Sequence, residues 1–197
     1  VPVDQGRRMP EQQGQRHGRD RLQSVELAPF AAAIEAANAG GGLAGGVGPG
    51  GRLGMIMTAH VVYPEIDRRP ATLSRRWLTD ILRGELGYQG VILSDDLDMK
   101  ALKAEHLERE GLTLRDEGDV AVESLMAGCD AFLLCRDVER QARAEESLGR
   151  AIADRPEVRA RFIESIGRVR RFRATLSWPC PDRVALAGLP AADNQAL

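Results

Sequence analysis

The spacing of apolar residues divides the chain into helices and short strands. Residues 20–38 carry apolar side chains at helical spacing and predict an amphipathic helix. Pro29 within it marks either a kink or a second helix start. Four further helices are predicted over residues 73–86, 118–127, 137–153 and 156–173, and Gly87 and Gly128 are expected to end the first two of these.

Three short apolar runs between the helices predict buried strands, over residues 53–63, 91–94 and 130–135. Short apolar strands that alternate with longer helices are typical of βαβ units and a parallel sheet. In such folds the loops at the carboxyl ends of the strands meet around the ligand. The pattern therefore predicts an α/β protein whose chemistry lies at the strand ends.

Three segments show no such pattern. Residues 1–18 are polar and predicted to be irregular, and so is the Pro- and Ala-rich tail, residues 176–197. The glycine-rich stretch 39–51 contains Gly46-x-Gly48-x-x-Gly51, formally a dinucleotide-binding fingerprint. That fingerprint requires a strand before it and a helix after it, and here the order is reversed. We interpret the stretch as a surface insertion within one domain, residues 19–175.

Composition narrows the class of protein. The 197 residues are 43% hydrophobic and 28% charged with a net charge of −2, which excludes a strongly basic nucleic-acid surface. No apolar run is long enough for a membrane span, and no secretion signal is visible. Cys129, Cys135 and Cys180 lack metal-ligand spacing, and such sparse cysteines suit the cytoplasm. Cys129 and Cys135 are expected to be buried free thiols.

Three carboxylates follow the predicted strand 91–94. Asp95, Asp96 and Asp98 repel one another, so their clustering needs a physical reason. They could cap a helix, bind a hard cation such as Mg²⁺, or supply a catalytic nucleophile. The spacing alone leaves all three interpretations open.

A histidine follows the first predicted strand, in the sequence Met57-Thr58-Ala59-His60. His60 can be either a structural hydrogen-bonding group or a catalyst, and its position does not decide between them. His17 and His106 lie in polar segments without visible partners.

The residues around the aspartates resemble a known family. Leu-Arg-Gly-Glu-Leu-Gly-Tyr-Gln-Gly-Val-Ile-Leu-Ser-Asp-Asp-Leu-Asp-Met, residues 82–99, is similar to the active-site signature of glycoside hydrolase family 3. It is most similar to the bacterial β-N-acetylhexosaminidases that act on cell-wall fragments. The resemblance covers about residues 19–173, with supporting blocks at residues 25–30, 57–63, 69–74 and 127–130.

The resemblance implies an α/β fold of a particular kind: about three β/α units from the C-terminal portion of a TIM-type (β/α)₈ barrel. It implies removal of terminal β-linked N-acetylglucosamine with retention, through a covalent intermediate on Asp95. It suggests that His60 and Met99 line the sugar pocket, and that no metal or organic cofactor is needed. The implied substrate is a muropeptide or chitooligosaccharide from cell-wall recycling, with no nucleic-acid or membrane partner.

The chain also departs from the family. The family's acid/base histidine lies in an upstream segment of the type Lys-His-Phe-Pro-Gly-His-Gly, which is absent here, and His17 is too close to the block at residues 25–30 to replace it. Such barrels have about 250 residues, so the N-terminal barrel half is an expected partner. Residues 1–18 are interpreted as foreign or out-of-frame sequence.

Two alternatives remain beside the enzyme. The chain could be a catalytically inactive fragment of such a glycosidase, or a magnesium- or phosphate-binding module that uses the aspartates and the glycine-rich stretch. Because three strands of a barrel leave open edges, the isolated chain is expected to be marginally stable or dependent on a partner.

Overall fold

A computed structural model describes residues 22–39, 53–102, 107, 113–114 and 116–176. The predictions for residues 1–18, for most of the glycine-rich stretch, for the tail, and for His17, His106 and Cys180 concern positions outside these described residues.

A three-stranded parallel sheet forms the centre of the fold. Its strands are β1 (Met55–Met57), β4 (Val91–Asp96) and β5 (Ala131–Leu133), in the spatial order β1-β4-β5. Met55 pairs with Val91, and Leu93 pairs with both Met57 and Ala131. A separate antiparallel hairpin joins β2 (Val62–Tyr63) to β3 (Asp67–Pro70).

Within the described ranges, five longer helices accompany the strands, and their alternation with the sheet confirms the predicted α/β class. They are α1 (Ala28–Asn38), α2 (Arg76–Glu85), α3 (Glu117–Ala127), α4 (Val138–Asp154) and α5 (Pro156–Thr175). Asp116 and Asp137 cap α3 and α4 by accepting backbone N–H groups of the first turn. None of the described helices is long and apolar enough to cross a bilayer.

Pro29 marks a second helix start rather than a kink. Residues Leu22–Glu26 form one π-helical turn, and α1 then begins at Ala28 with Pro29 in its first turn. Proline fits there because the first turn of a helix does not need its missing N–H.

The helix predicted over residues 73–86 is present but differently wound. A 3₁₀ turn occupies Ala71–Leu73, and α2 is a π-helix in which the Leu86 N–H donates to the Ile81 carbonyl at 2.8 Å. Gly87 follows with a φ of +68°, a conformation that favours glycine and ends the helix as predicted.

The prediction of one buried strand over residues 53–63 is wrong. Only Met55–Met57 joins the sheet, and the side chains of Met55 and Met57 are 38% and 58% exposed. Beyond Met57 the chain leaves the ladder and Val62–Tyr63 enters the hairpin. The apolar run continues through this turn because Tyr63 packs against α2, where the Tyr63 and Trp77 rings lie 5.1 Å apart.

The core lies between the sheet and the helices. Leu78 and Ile81 of α2 pack with Ile92 of β4, while Leu125 of α3 packs with Val158 of α5. Gly128 permits the tight approach of α3 to α2: its φ is +138°, and a Cβ there would lie 2.8 Å from the Leu78 Cβ. These contacts fix the strand ends in space.

The prediction of buried thiols is half correct. Cys129 is buried, but Cys135 is exposed. Cys129 precedes β5 within the core, whereas Cys135 follows β5 where the chain emerges at the carboxyl edge of the sheet.

Candidate active site

The carboxyl end of β4 presents the predicted aspartates. Ser94 is fully buried, and its Oγ accepts the Leu133 N–H at 3.1 Å, which ties β4 to β5. Asp95 is partly exposed, and its Oδ1 accepts the Asp96 N–H at 2.8 Å. Alternation along the strand thus places Ser94 inward and the Asp95 carboxylate at the open edge.

Asp96 holds the turn that follows β4. Its Oδ1 accepts the backbone N–H groups of Asp98 at 3.1 Å and of Cys135 at 3.2 Å. These bonds close the turn after β4 and connect it to the segment after β5. Asp116 and Asp137 cap α3 and α4, so Asp95 caps neither of these helices.

A chain of buried hydrogen bonds supports Asp95 from behind. The Asp95 N–H points to Thr58 Oγ1 at 3.4 Å, and Thr58 Oγ1 lies 2.8 Å from Thr72 Oγ1. Thr72 Oγ1 in turn lies 2.8 Å from His60 Nδ1. The chain links the ends of β1 and β4 to the 3₁₀ turn that precedes α2.

His60 closes this chain on the same turn. Its Nε2 lies 2.9 Å from the Asp96 carbonyl, which can only accept, so Nε2 carries a proton. With Nε2 donating, Nδ1 can accept from the Thr72 hydroxyl, Thr72 Oγ1 from the Thr58 hydroxyl, and Thr58 Oγ1 from the Asp95 backbone N–H. Each hydroxyl then donates one hydrogen bond and accepts one. His60 is a fixed structural group, because both of its ring nitrogens are hydrogen-bonded.

The remaining predicted site residue, Met99, lies just beyond the turn and is 38% exposed. His60, by contrast, is only 7% exposed. The sugar contacts predicted for these two residues remain predictions, and the geometry gives Met99 more open surface than His60.

The magnesium interpretation gains no support from the geometry. In the part of the chain that the structure describes, no three His, Cys, Asp or Glu side chains converge so that they could hold a metal ion.

Sequence reasoning missed two residues of this site. Thr58 and Thr72 lie within blocks that resemble the family, but an isolated threonine gives no sign of its partners. Only the fold brings Thr72 from the segment before α2 against the end of β1.

Fold and site together define an α/β protein with an acidic group at the carboxyl edge of a parallel sheet. The profile of the glycosyl hydrolase family 3 N terminal domain matches residues 2–172. The chain therefore belongs to this family, which confirms the resemblance seen in the sequence.

Curated relatives are similar over part of their length. A β-hexosaminidase from Bordetella avium is 48% identical over 83 residues, which are 41% of this chain and 20% of that protein. Another from Pseudomonas aeruginosa is 44% identical over 98 residues, 50% of this chain and 26% of that protein. The chain thus matches only about a fifth to a quarter of these relatives.

Solved structures of the family share the fold. A glycoside hydrolase family 3 β-N-acetylglucosaminidase from a Paenibacillus species has a TM-score of 0.63 and 31% identity, over 89% of this chain and 28% of that one. The β-N-acetylglucosaminidase of Thermotoga maritima has a TM-score of 0.60 and 26% identity, over 79% of this chain and 29% of that one.

Proposed function

We propose that this chain is the part of a retaining β-N-acetylhexosaminidase that carries the catalytic nucleophile, Asp95. The observation that supports the proposal most is the placement of Asp95 at the carboxyl end of β4. Its Oδ1 is held by the Asp96 N–H at 2.8 Å, and the side chain is partly exposed. A rigid strand end is where a carboxylate can be aligned for attack.

In the proposed reaction, the Asp95 carboxylate attacks the anomeric carbon of a terminal N-acetylglucosamine. The bond from this carbon to the leaving oxygen breaks, and a glycosyl ester forms on Asp95. Water then attacks the same carbon, the ester bond breaks, and the sugar leaves with its original configuration.

The leaving oxygen must receive a proton from a second group. His60 does not serve, because Nε2–H is engaged by the Asp96 carbonyl and Nδ1 by the Thr72 hydroxyl. We therefore assign the acid/base to the remaining part of the barrel, as the family resemblance implies.

We also propose that the sheet is a segment of a (β/α)₈ barrel. Among the described strands, β1 and β5 each pair only with β4, so both edges of the sheet are open. Met55 and Met57 lie exposed on the same face of β1, which suits a strand whose apolar face would be covered by the rest of the barrel. The rest of the barrel would supply the acid/base loop and most sugar contacts.

The finer details belong to the same proposal. The similar proteins are named β-hexosaminidase and β-N-acetylglucosaminidase, which supports an N-acetylglucosamine-containing glycan as the substrate. Peptidoglycan fragments as the source of that glycan follow from the resemblance alone, and a cytoplasmic location rests on the sparse cysteines of the sequence.

The proposal is tested by trapping the covalent intermediate. The chain is incubated with a fluorinated N-acetylglucosaminyl donor that carries an activated leaving group, and its intact mass is measured. The activated group needs little protonation, so the step does not depend on the acid. We expect a mass increase of one sugar, located on Asp95 by peptide mapping and absent from Asp95→Ala.

Asp80→Ala is the matched control, because Asp80 is an exposed carboxylate on α2 that pairs with Arg76. It should be labelled like the unchanged chain. A folded chain without any adduct would instead favour the alternative, an inactive fragment that needs the rest of the barrel to bind sugar.

A further inference from the structure

A buried acid lies three residues beyond Asp95. The side chain of Asp98 is only 5% exposed, although it follows two other aspartates in the turn formed by residues 95–98, which we call the nucleophile turn. A buried carboxylate is costly unless it is paired and hydrogen-bonded. Its compensation therefore bears on how the whole turn is held.

Arg140 provides such compensation. Its Nη1 donates to Asp98 Oδ1 at 2.5 Å and to Glu117 Oε1, at the start of α3, at 2.9 Å. Its Nε lies 3.5 Å from Asp137, the cap of α4. One guanidinium thus joins the nucleophile turn to the first turns of two helices.

Other arginines of α4 are placed differently. Arg143 is 57% exposed and lies 3.9 Å from Glu139, which is itself 88% exposed. Such surface pairs contribute little to structure. The side chain of Arg140 is 35% exposed, and hydrogen bonding to Asp98, together with the charges of Asp98 and Glu117, raises its pKa.

A short series of bonds connects Arg140 to the nucleophile. Arg140 holds the Asp98 side chain, and the Asp98 N–H donates to Asp96 Oδ1 at 3.1 Å. The Asp96 N–H donates in turn to Asp95 Oδ1 at 2.8 Å. Displacement of Asp98 would therefore reach the Asp95 carboxylate through two hydrogen bonds.

We infer that Arg140 is a positioning residue that cancels the charge of Asp98 and so holds the nucleophile turn with Asp95 aimed at the substrate. Arg140 itself does not contact the reacting atoms. The inference rests on the proposed role of Asp95, but the arrangement of the turn can be measured without any substrate.

The test compares Arg140→Gln, Arg140→Lys, Asp98→Asn and the double variant Asp98→Asn/Arg140→Gln in the full chain. Arg143→Gln is the matched control on the same helix. The first readout is the ¹⁵N spectrum of histidine-labelled protein, in which three histidines give few signals and His60→Asn assigns one. Because His60 Nε2–H donates to the Asp96 carbonyl, its signal reports the position of the turn.

The second readout is the rate at which the fluorinated donor labels Asp95. We expect Arg140→Gln to move the His60 Nε2 signal and to slow labelling by about tenfold or more, since small displacements of a reacting group are costly. Arg140→Lys, which keeps the positive charge, should slow labelling less than Arg140→Gln does. Arg143→Gln should change neither readout. The double variant should recover both the His60 Nε2 signal and the labelling rate of the unchanged chain, because it removes the acid together with its partner.

Two results would overturn the inference. Arg140→Gln could behave like Arg143→Gln in both readouts, in which case Arg140 does not position the turn. The double variant could be as impaired as Arg140→Gln, in which case charge cancellation is not its role. If the unchanged chain is folded but never labelled, the inactive-fragment alternative holds for the proposed function, and the His60 signal alone decides whether Arg140 holds the turn.

Discussion

Two aspartates lie at opposite ends of the parallel strands and differ in how many hydrogen bonds their carboxylate oxygens accept. Asp130 directly precedes β5 at the amino edge, its side chain is fully buried, and its carboxylate is saturated. Asp95, at the carboxyl edge, is partly exposed, with Oδ1 held by one backbone N–H. The donors to Asp130 are Arg83 at 2.5 Å, Ile92 N–H, Arg161 and Ser165 at 3.0 Å, and Arg168 at 3.3 Å.

The surroundings of Asp130 show the cost of a buried anchor. The side chains of Arg83, Arg161 and Arg168 are 12%, 14% and 18% exposed around this single carboxylate. Burial lowers the pKa of Arg83, the charge of Asp130 opposes this, and the charges of Arg168 and Arg161 lower it further. A carboxylate bonded on all sides can only hold structure, whereas a nucleophile needs an oxygen that remains accessible.

The largest effect is expected when the two acids are neutralised in turn. Asp130→Asn should reduce the free energy of unfolding by about 3–5 kcal/mol, because it leaves buried guanidinium groups without their counter-ion. Asp95→Asn should change it by no more than about 0.5 kcal/mol, as at a site without buried partners to lose. Urea unfolding of both variants measures this difference, and equal losses would remove the distinction between anchor and nucleophile.

A smaller loss of stability is expected when the hydrogen-bonded hydroxyls behind Asp95 are interrupted. Thr72→Val keeps the shape of a fully buried side chain but removes the hydroxyl between Thr58 and His60. The loss should be about 1–3 kcal/mol, since buried polar groups are left unpaired. Thermal melts compare it with Thr113→Val, an exposed position that should be neutral. A neutral Thr72→Val would show that the chain of hydroxyls is dispensable.

The smallest effect is expected on two cysteines, one near each aspartate. Burial raises the pKa of Cys129 to about 12, so its thiol stays protonated and shielded at pH 8, while Cys135 is exposed. Iodoacetamide at pH 8 should alkylate Cys135 before Cys129 and leave the melting temperature unchanged. Peptide mapping identifies the labelled residue, and rapid alkylation of Cys129 in the native chain would contradict the buried core described for this edge.

Much of the fold is readable from local pattern. The strand that delivers Asp95 is a continuous apolar run, and Gly87 and Gly128 stop α2 and α3 because both adopt positive φ. The family signature adds what spacing cannot, since it distinguishes Asp95 from Asp96 when both follow the same strand.

The rest depends on contacts between distant residues. The turn at Thr58 is invisible in an apolar run, because the hydrogen bonds that hold it come from Thr72 and Leu93. In the sequence, Arg140 cannot be distinguished from the other arginines on the polar face of its helix. Only the fold shows that it pairs with Asp98. Asp130 lies in a recognisable block, yet its arginine partners come from α2 and α5.

The pairing of the strands also has a consequence for folding order. Each ladder contact of the parallel sheet joins segments separated by a whole helix, such as Met55 with Val91 and Leu93 with Ala131. Closing such long loops is slow compared with forming local helices. The backbone N–H of Asp95 points to Thr58, and the segment after β5 donates to Asp96, so we expect the site to form after the local helices, when these distant segments have met.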